Sequence, residues 1–167
     1  MANNSSENYF NTEEFRNNLK FFEETQRTGG SYMLGSEELS DIAEYYYEVG
    51  MLKKAKEAAE YATSLYPEAS SPMIFLARFY LNVKKDNDAA RTYIKKITDR
   101  DSVEYYTLII EYFLAKGKKE KAKLAAHNGE LELEDDEDVQ YYIMDVTHLF
   151  IDYKMLDDAK SWAVKVK

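Results

Sequence analysis

From Leu39 to Pro67 the apolar positions follow a helical period twice. Leu39, Ile42, Ala43 and Tyr46 fall at i, i+3, i+4 and i+7, which places all four on one helical face. Gly50 then ends the helix, because glycine enters the left-handed region without steric cost. A second run follows at Leu52, Ala55, Ala58, Ala59, Ala62 and Leu65, and its alanine face lets a neighbouring helix approach closely. Pro67 stops it, having no amide hydrogen for the ladder. Two short helices with one apolar stripe each cannot bury everything against one another, so the pair needs a stacked neighbour.

Weaker copies of the pattern supply that neighbour. The second carries Met73, Leu76, Ala77, Tyr80, Ala89 and Tyr93; Ala43 to Ala77, Tyr46 to Tyr80 and Ala55 to Ala89 are each 34 residues apart. The third carries Tyr106, Ile109, Phe113, Gly117, Ala122 and Ala126. The fourth carries Ile143, Val146, Phe150, Ala159 and Ala163; Ala122 to Ala159 is 37 residues, so about three have been inserted. Ser70 or Ser71 is placed to cap the second copy, with Pro72 in its first turn, and Asp101-Ser102 begins the third. The second turn, Lys84 to Asp88, lacks glycine, so an asparagine or aspartate is expected to take the left-handed position.

These residues resemble the tetratricopeptide repeat, a helix–turn–helix unit of 34 residues. In the first copy Ala59 is smaller than the aromatic that family expects; Ile110 and Thr147 stand where it expects a small residue. The resemblance implies an all-α helical-hairpin solenoid, a right-handed superhelix of about nine helices. It divides into a capping helix at 9–30 and four pairs at 36–69, 70–102, 103–138 and 139–167. It also implies that the first helix of each pair lines a concave face that binds a peptide or helix. That face would carry Glu37, Ser40, Glu44, Tyr47 and Glu48, then Ile74, Arg78 and Leu81, then Glu104, Thr107, Glu111 and Leu114, then Met144, His148 and Ile151. Members that clamp an acidic terminal carboxylate use lysines, arginine and asparagines there. Ser40, Glu44, Thr107 and Glu111 do not make that clamp, so a partner with basic and apolar side chains is expected instead.

Residues 1–8 are polar and read as a disordered tail. Asn11 and Glu14 have the spacing of a capping box, and Phe15, Leu19 and Phe22 mark an amphipathic helix ending near Gly29-Gly30. It is expected to cap the first pair; a dimerisation helix is the alternative. Gly30 to Gly35 has the glycine spacing of a phosphate loop, but Ser36-Glu37 replaces the required lysine and no apolar strand precedes it, so it is a linker. Residues 130–138 hold seven acids and no base, without the glycine and ligand alternation of a calcium loop; they read as a solvated acidic loop before the fourth pair.

The net charge of −9 argues against broad binding to nucleic acid or anionic membrane. No cysteine is present, which fits a cytoplasmic setting and excludes thiolate metal sites. The N-terminus shows no signal-peptide pattern, and charges break every apolar stretch. His127 and His148 lie on different predicted helices with no second histidine nearby, and no nucleophile motif occurs. No catalytic residue, metal or cofactor is therefore assigned. Most of the fifteen tyrosines are explained by packing with one wet edge, and Trp162 is expected in the core. Trp162 and Val166 close the fourth pair with no cap after them, implying end-to-end pairing of two copies, a homodimer through a chain end, or a longer repeat array. The expected function is a protein–protein interaction scaffold or adaptor presenting an acidic and apolar groove. The alternative is a regulatory sensor that holds a small peptide or ligand there, as some bacterial relatives of the repeat do. Depth lined by Tyr47, Leu81 and Met144 would favour the sensor.

Overall fold

The computed structural model describes residues 9–29 and 34–167. The tail at 1–8 and most of the glycine-spaced linker at 30–33 lie outside the described residues. Within them the chain is all-helical, with nine α-helices and no strand. It divides into two compact units, Met1–Leu76 and Ala77–Lys167.

The first unit opens with α1, Glu13–Thr28. The cap is Thr12, not Asn11: its hydroxyl accepts from the Phe15 amide at 3.2 Å. Gly29 closes the helix in the left-handed conformation. Helix α2, Ser36–Glu48, packs along α3, Leu52–Leu65, and α1 lies on α2. The expected faces are the buried ones: Leu39, Ile42, Ala43 and Tyr46 on α2, and Ala55, Ala58, Ala59 and Ala62 on α3. The small Ala59 leaves the aromatic role to others. Phe22 of α1 sits 6.5 Å from the Tyr46 ring and 6.1 Å from the Tyr61 ring, and the Tyr46 hydroxyl donates to Glu23 at 2.8 Å. Burial first, then that bond and the Glu23 charge, push the Tyr46 phenol well above its ordinary value. Helix α1 thus covers the aromatic edge of the first pair.

Helix α4, Ser70–Phe79, passes into a π turn at Tyr80–Lys84 and is followed by α5, Asn87–Lys96. In the second unit, α6 (Val103–Ala115) packs along α7 (Lys119–Glu132), and α8 (Asp136–Asp152) along α9 (Leu156–Ala163). Helix α8 also meets α6. Ser102 caps α6 as expected, accepting from the Tyr105 amide at 3.2 Å. The core joins Ile110, Leu114, Ala122, Ala126, Tyr142, Ile143, Val146, Phe150 and Trp162. Ile110, which stands where the repeat family has a small residue, is fully buried.

Three of the turns share one geometry. The amides of Met51, Lys118 and Met155 donate to the carbonyls five residues back, Tyr46, Phe113 and Phe150, at 2.8, 2.9 and 2.8 Å. A left-handed residue precedes each: Gly50, Gly117 and Lys154. The second turn differs. Neither asparagine nor aspartate goes left-handed; Lys85 does, at φ 54°, and Asp86 caps α5 with bonds from the Asp88 and Ala89 amides. The Asp86 amide reaches back six residues, to Tyr80 at 2.9 Å. The π turn has absorbed one inserted residue. The residue five after the left-handed position is therefore Ala90, buried like Ala55, Ala122 and Ala159, whereas Ala89 is half-buried. The 34-residue match of Ala55 to Ala89 is one residue out of register, and Ile94 rather than Tyr93 enters the core. Tyr93 stacks on Tyr80 instead, 5.5 Å between rings.

The acidic run is mostly helix. Glu130 and Glu132 end α7, and Asp135 caps α8 by accepting from the Glu137 and Asp138 amides at 2.8 and 3.2 Å. Asp136, Glu137 and Asp138 form its first turn, where negative charge meets the positive end of the helix dipole. With 17 residues α8 is longer than α2 and α6, at 13 each.

Candidate functional site

The fifteen residues expected to face a partner separate by burial. Ser40, Ile74, Leu81, Thr107 and Leu114 are buried, so they hold the fold and are not open to a ligand. The reason is register: each lies beside a core position on a helix whose apolar stripe is wider than the minimal pattern. The Ser40 hydroxyl donates to the Ser36 carbonyl at 2.8 Å and the Thr107 hydroxyl to the Val103 carbonyl at 2.9 Å, which satisfies them inside their own helices. Leu81 therefore lines no groove for a small ligand.

Arg78 and Glu111 bond to each other. Arg78 Nε donates to Glu111 Oε1 at 2.9 Å, and its Nη2 donates to Thr107 Oγ1 at 2.7 Å and to the Glu104 carbonyl at 3.2 Å. The planar guanidinium fork matches this set of acceptors, and it ties the residue after Ala77 to two turns of α6. Both side chains are half-buried or less exposed.

Eight remain open: Glu37, Glu44, Tyr47 and Glu48 on α2, Glu104 on α6, and Met144, His148 and Ile151 on α8. Glu37 accepts from the Ser71 hydroxyl at 2.7 Å, and the Tyr47 ring meets Phe75 edge-on at 6.2 Å. Sequence reasoning missed Tyr141 and Asp145, which share the open face of α8. Tyr141 continues the spacing of Met144, His148 and Ile151 one turn earlier, so the signal was present. The Asp145 carboxyl stands among protein on several sides although water reaches it. That partial desolvation raises it above the usual carboxylate range; Arg78 and His148 pull it back, and Glu104 and Glu111 push it further up. Asp152 lies four residues beyond His148, a carboxylate on the same helix.

His127 lies 5.4 Å from the Trp162 ring, with Nδ1 3.9 Å from Glu130. Lys165 bonds the same glutamate and sits 3.9 Å above Trp162. Trp162 is buried, as expected, within this cluster. Among the described residues no three of His, Cys, Asp or Glu converge as a metal site, and no helix is long and apolar enough to cross a membrane. In the first unit, a cavity of about 790 Å³ opens between the start of α1 and the end of α2. Phe10, Phe15, Leu19, Tyr45, Tyr47 and Val49 form its apolar walls. No family model, curated protein or solved structure matches the chain.

Proposed function

We propose that this chain is a protein-interaction scaffold of the tetratricopeptide type, holding a partner protein by the open faces of α2 in the first unit and of α6 and α8 in the second. One observation carries the proposal. After burial has claimed five of the fifteen residues and the Arg78–Glu111 bond two more, those left on α2, α6 and α8 are acids and large apolar groups, with one histidine. Exposed apolar side chains among charges of one sign are the composition of a surface that takes a basic and apolar partner. The shared turn geometry supports the repeat-family part of the proposal, since one bond pattern recurs at three of the four turns.

The test is an affinity capture from native lysate with quantitative mass spectrometry. The wild type is compared with a Glu44→Lys, Glu104→Lys, Ile151→Glu variant whose fold is first checked by circular dichroism. These positions are exposed, so the variant keeps its core. Arg78 and Glu111 are left intact because reversing either would break the bond between them. The proposal expects a partner enriched by the wild type and reduced at least ~10-fold by the variant, a loss of about 1.4 kcal/mol. Equal capture by both would contradict it.

A further inference from the structure

Helix α8 has two unlike faces. Tyr142, Ile143, Val146 and Phe150 are buried in the core of the second unit. On the other side Tyr141, Met144, His148 and Ile151 fall at i, i+3, i+7 and i+10, the spacing of a seam along a helix that meets another helix. All four are open: Tyr141 is 52% exposed, Met144 42% and Ile151 44%, and His148 belongs with them. One edge of this stripe carries Asp138, Asp145 and Asp152, seven residues apart and all exposed. Seven residues return to the same side of a helix within ~20°. The apolar seam and the acidic row therefore run parallel for about three turns.

We propose that this face of α8 docks one amphipathic helix of a partner protein, with apolar side chains in its seam and lysine or arginine along the edge that meets the three aspartates. The proposal rests on the scaffold function above and names the partner's chemistry for one of its surfaces. A helix fits because the seam and the acids both repeat at helical intervals. An extended peptide rises about 3.3 Å per residue with alternating side chains, and it matches neither repeat. Charge chooses the sign of the partner. Asp138, Asp145 and Asp152 would face its flank; Arg78 and His148 act on the Asp145 carboxyl as well as Glu104 and Glu111, but Arg78 is already bonded to Glu111, so the three aspartates leave this edge acidic. A second copy of the chain is the poorer occupant: two α8 helices laid antiparallel would set one aspartate row against the other, in a protein of net charge −9. His148 inside the seam gives the docking a register, as a polar seam residue does in paired helices.

The experiment is a fluorescence-anisotropy titration of the full chain with three synthetic peptides of about three heptads. The first has leucine at the seam positions and lysine on both flanks, where like charge keeps it from pairing with itself. The second carries glutamate on the flanks. The third is a scrambled form of the first. The first should bind and gain helical circular dichroism; the second should not bind, and the third should bind at least ~10-fold more weakly. Met144→Asp with Ile151→Asp, and separately Asp145→Asn with Asp152→Lys, should each weaken the first peptide at least ~10-fold in protein that circular dichroism shows to be folded at the assay temperature. Equal binding of the ordered and scrambled peptides, or unchanged binding to both variants, would overturn the proposal. Failure of the lysine peptide alongside a captured partner that is lost in the Glu44→Lys, Glu104→Lys, Ile151→Glu variant would overturn helix docking and leave the scaffold standing. Equal capture by that variant and the wild type would overturn the scaffold itself.

Discussion

Gly129 is where α7 gives way to its neighbour. A Cβ there would overlap the Tyr142 hydroxyl and come within 2.8 Å of its Cζ and 3.0 Å of the Tyr106 Cβ. The Tyr142 hydroxyl donates to the Ala126 carbonyl at 2.8 Å, filling the space that glycine leaves. Glycine to alanine inside a helix ordinarily gains about 1 kcal/mol. Here Gly129→Ala should instead lose about 1–2 kcal/mol by chemical denaturation, because overpacking outweighs propensity. Tyr142→Phe should cost about 1 kcal/mol in the wild type and clearly less beside Gly129→Ala, since both act on one contact. Nothing in the sequence marked Gly129, because its constraint comes from a side chain 13 positions later on another helix. Asp41 gives a second test. Burial raises its carboxyl above the usual range; the Tyr9 hydroxyl bond pulls it down, and Glu37, Glu38 and Glu14 push it up. The folded state then holds the proton more tightly than the unfolded one, so stability falls as pH rises from about 4 through the raised value. Asp41→Asn keeps an acceptor for Tyr9 and should raise the melting temperature at pH 7 while adding nothing at pH 3.

At the scale of the helices, the turns show what a repeat pattern reveals and what it hides. Gly50 and Gly117 announced their turns, because a left-handed residue there favours glycine and leaves a visible mark. Lys85 and Lys154 adopt the same conformation without the mark, so Lys85→Gly and Lys154→Gly should each stabilise the chain, by up to about 1 kcal/mol, in thermal melts. The π turn was invisible for a related reason. One inserted residue left Ala89 34 positions after Ala55, and two adjacent alanines made the wrong register look right. The long-range bond of Arg78 was equally hidden, since spacing gives the face a residue lies on but not the partner its side chain finds. A double-mutant cycle with Arg78→Ala and Glu111→Ala should show a coupling of about 1–2 kcal/mol, modest because Arg78 is still part-exposed. The core faces of α2, α3, α6 and α8 were legible because helical period and burial are one fact seen twice. The proposed partner face was half legible: the same period that brought Met144, His148 and Ile151 together also took in Leu81 and Leu114, which the core had already claimed.

Across the whole chain, charge is uneven: residues 1–76 carry 13 acids against six bases, and residues 77–167 carry 18 against 16. The acids of the second unit that the proposal assigns to a partner are thus a local arrangement on α6 and α8, in a unit that also holds lysines on α7 and at the C-terminal end. The proposal makes the first helices of three pairs, α2, α6 and α8, the working surface and the second helices their support. Hydrogen exchange read by mass spectrometry on the captured complex addresses it most directly. The account expects added protection in α2, α6 and α8, largest in α8, with α3, α7 and α9 unchanged from the free chain. Protection confined to α3, α7 and α9, or no change in α8, would contradict it.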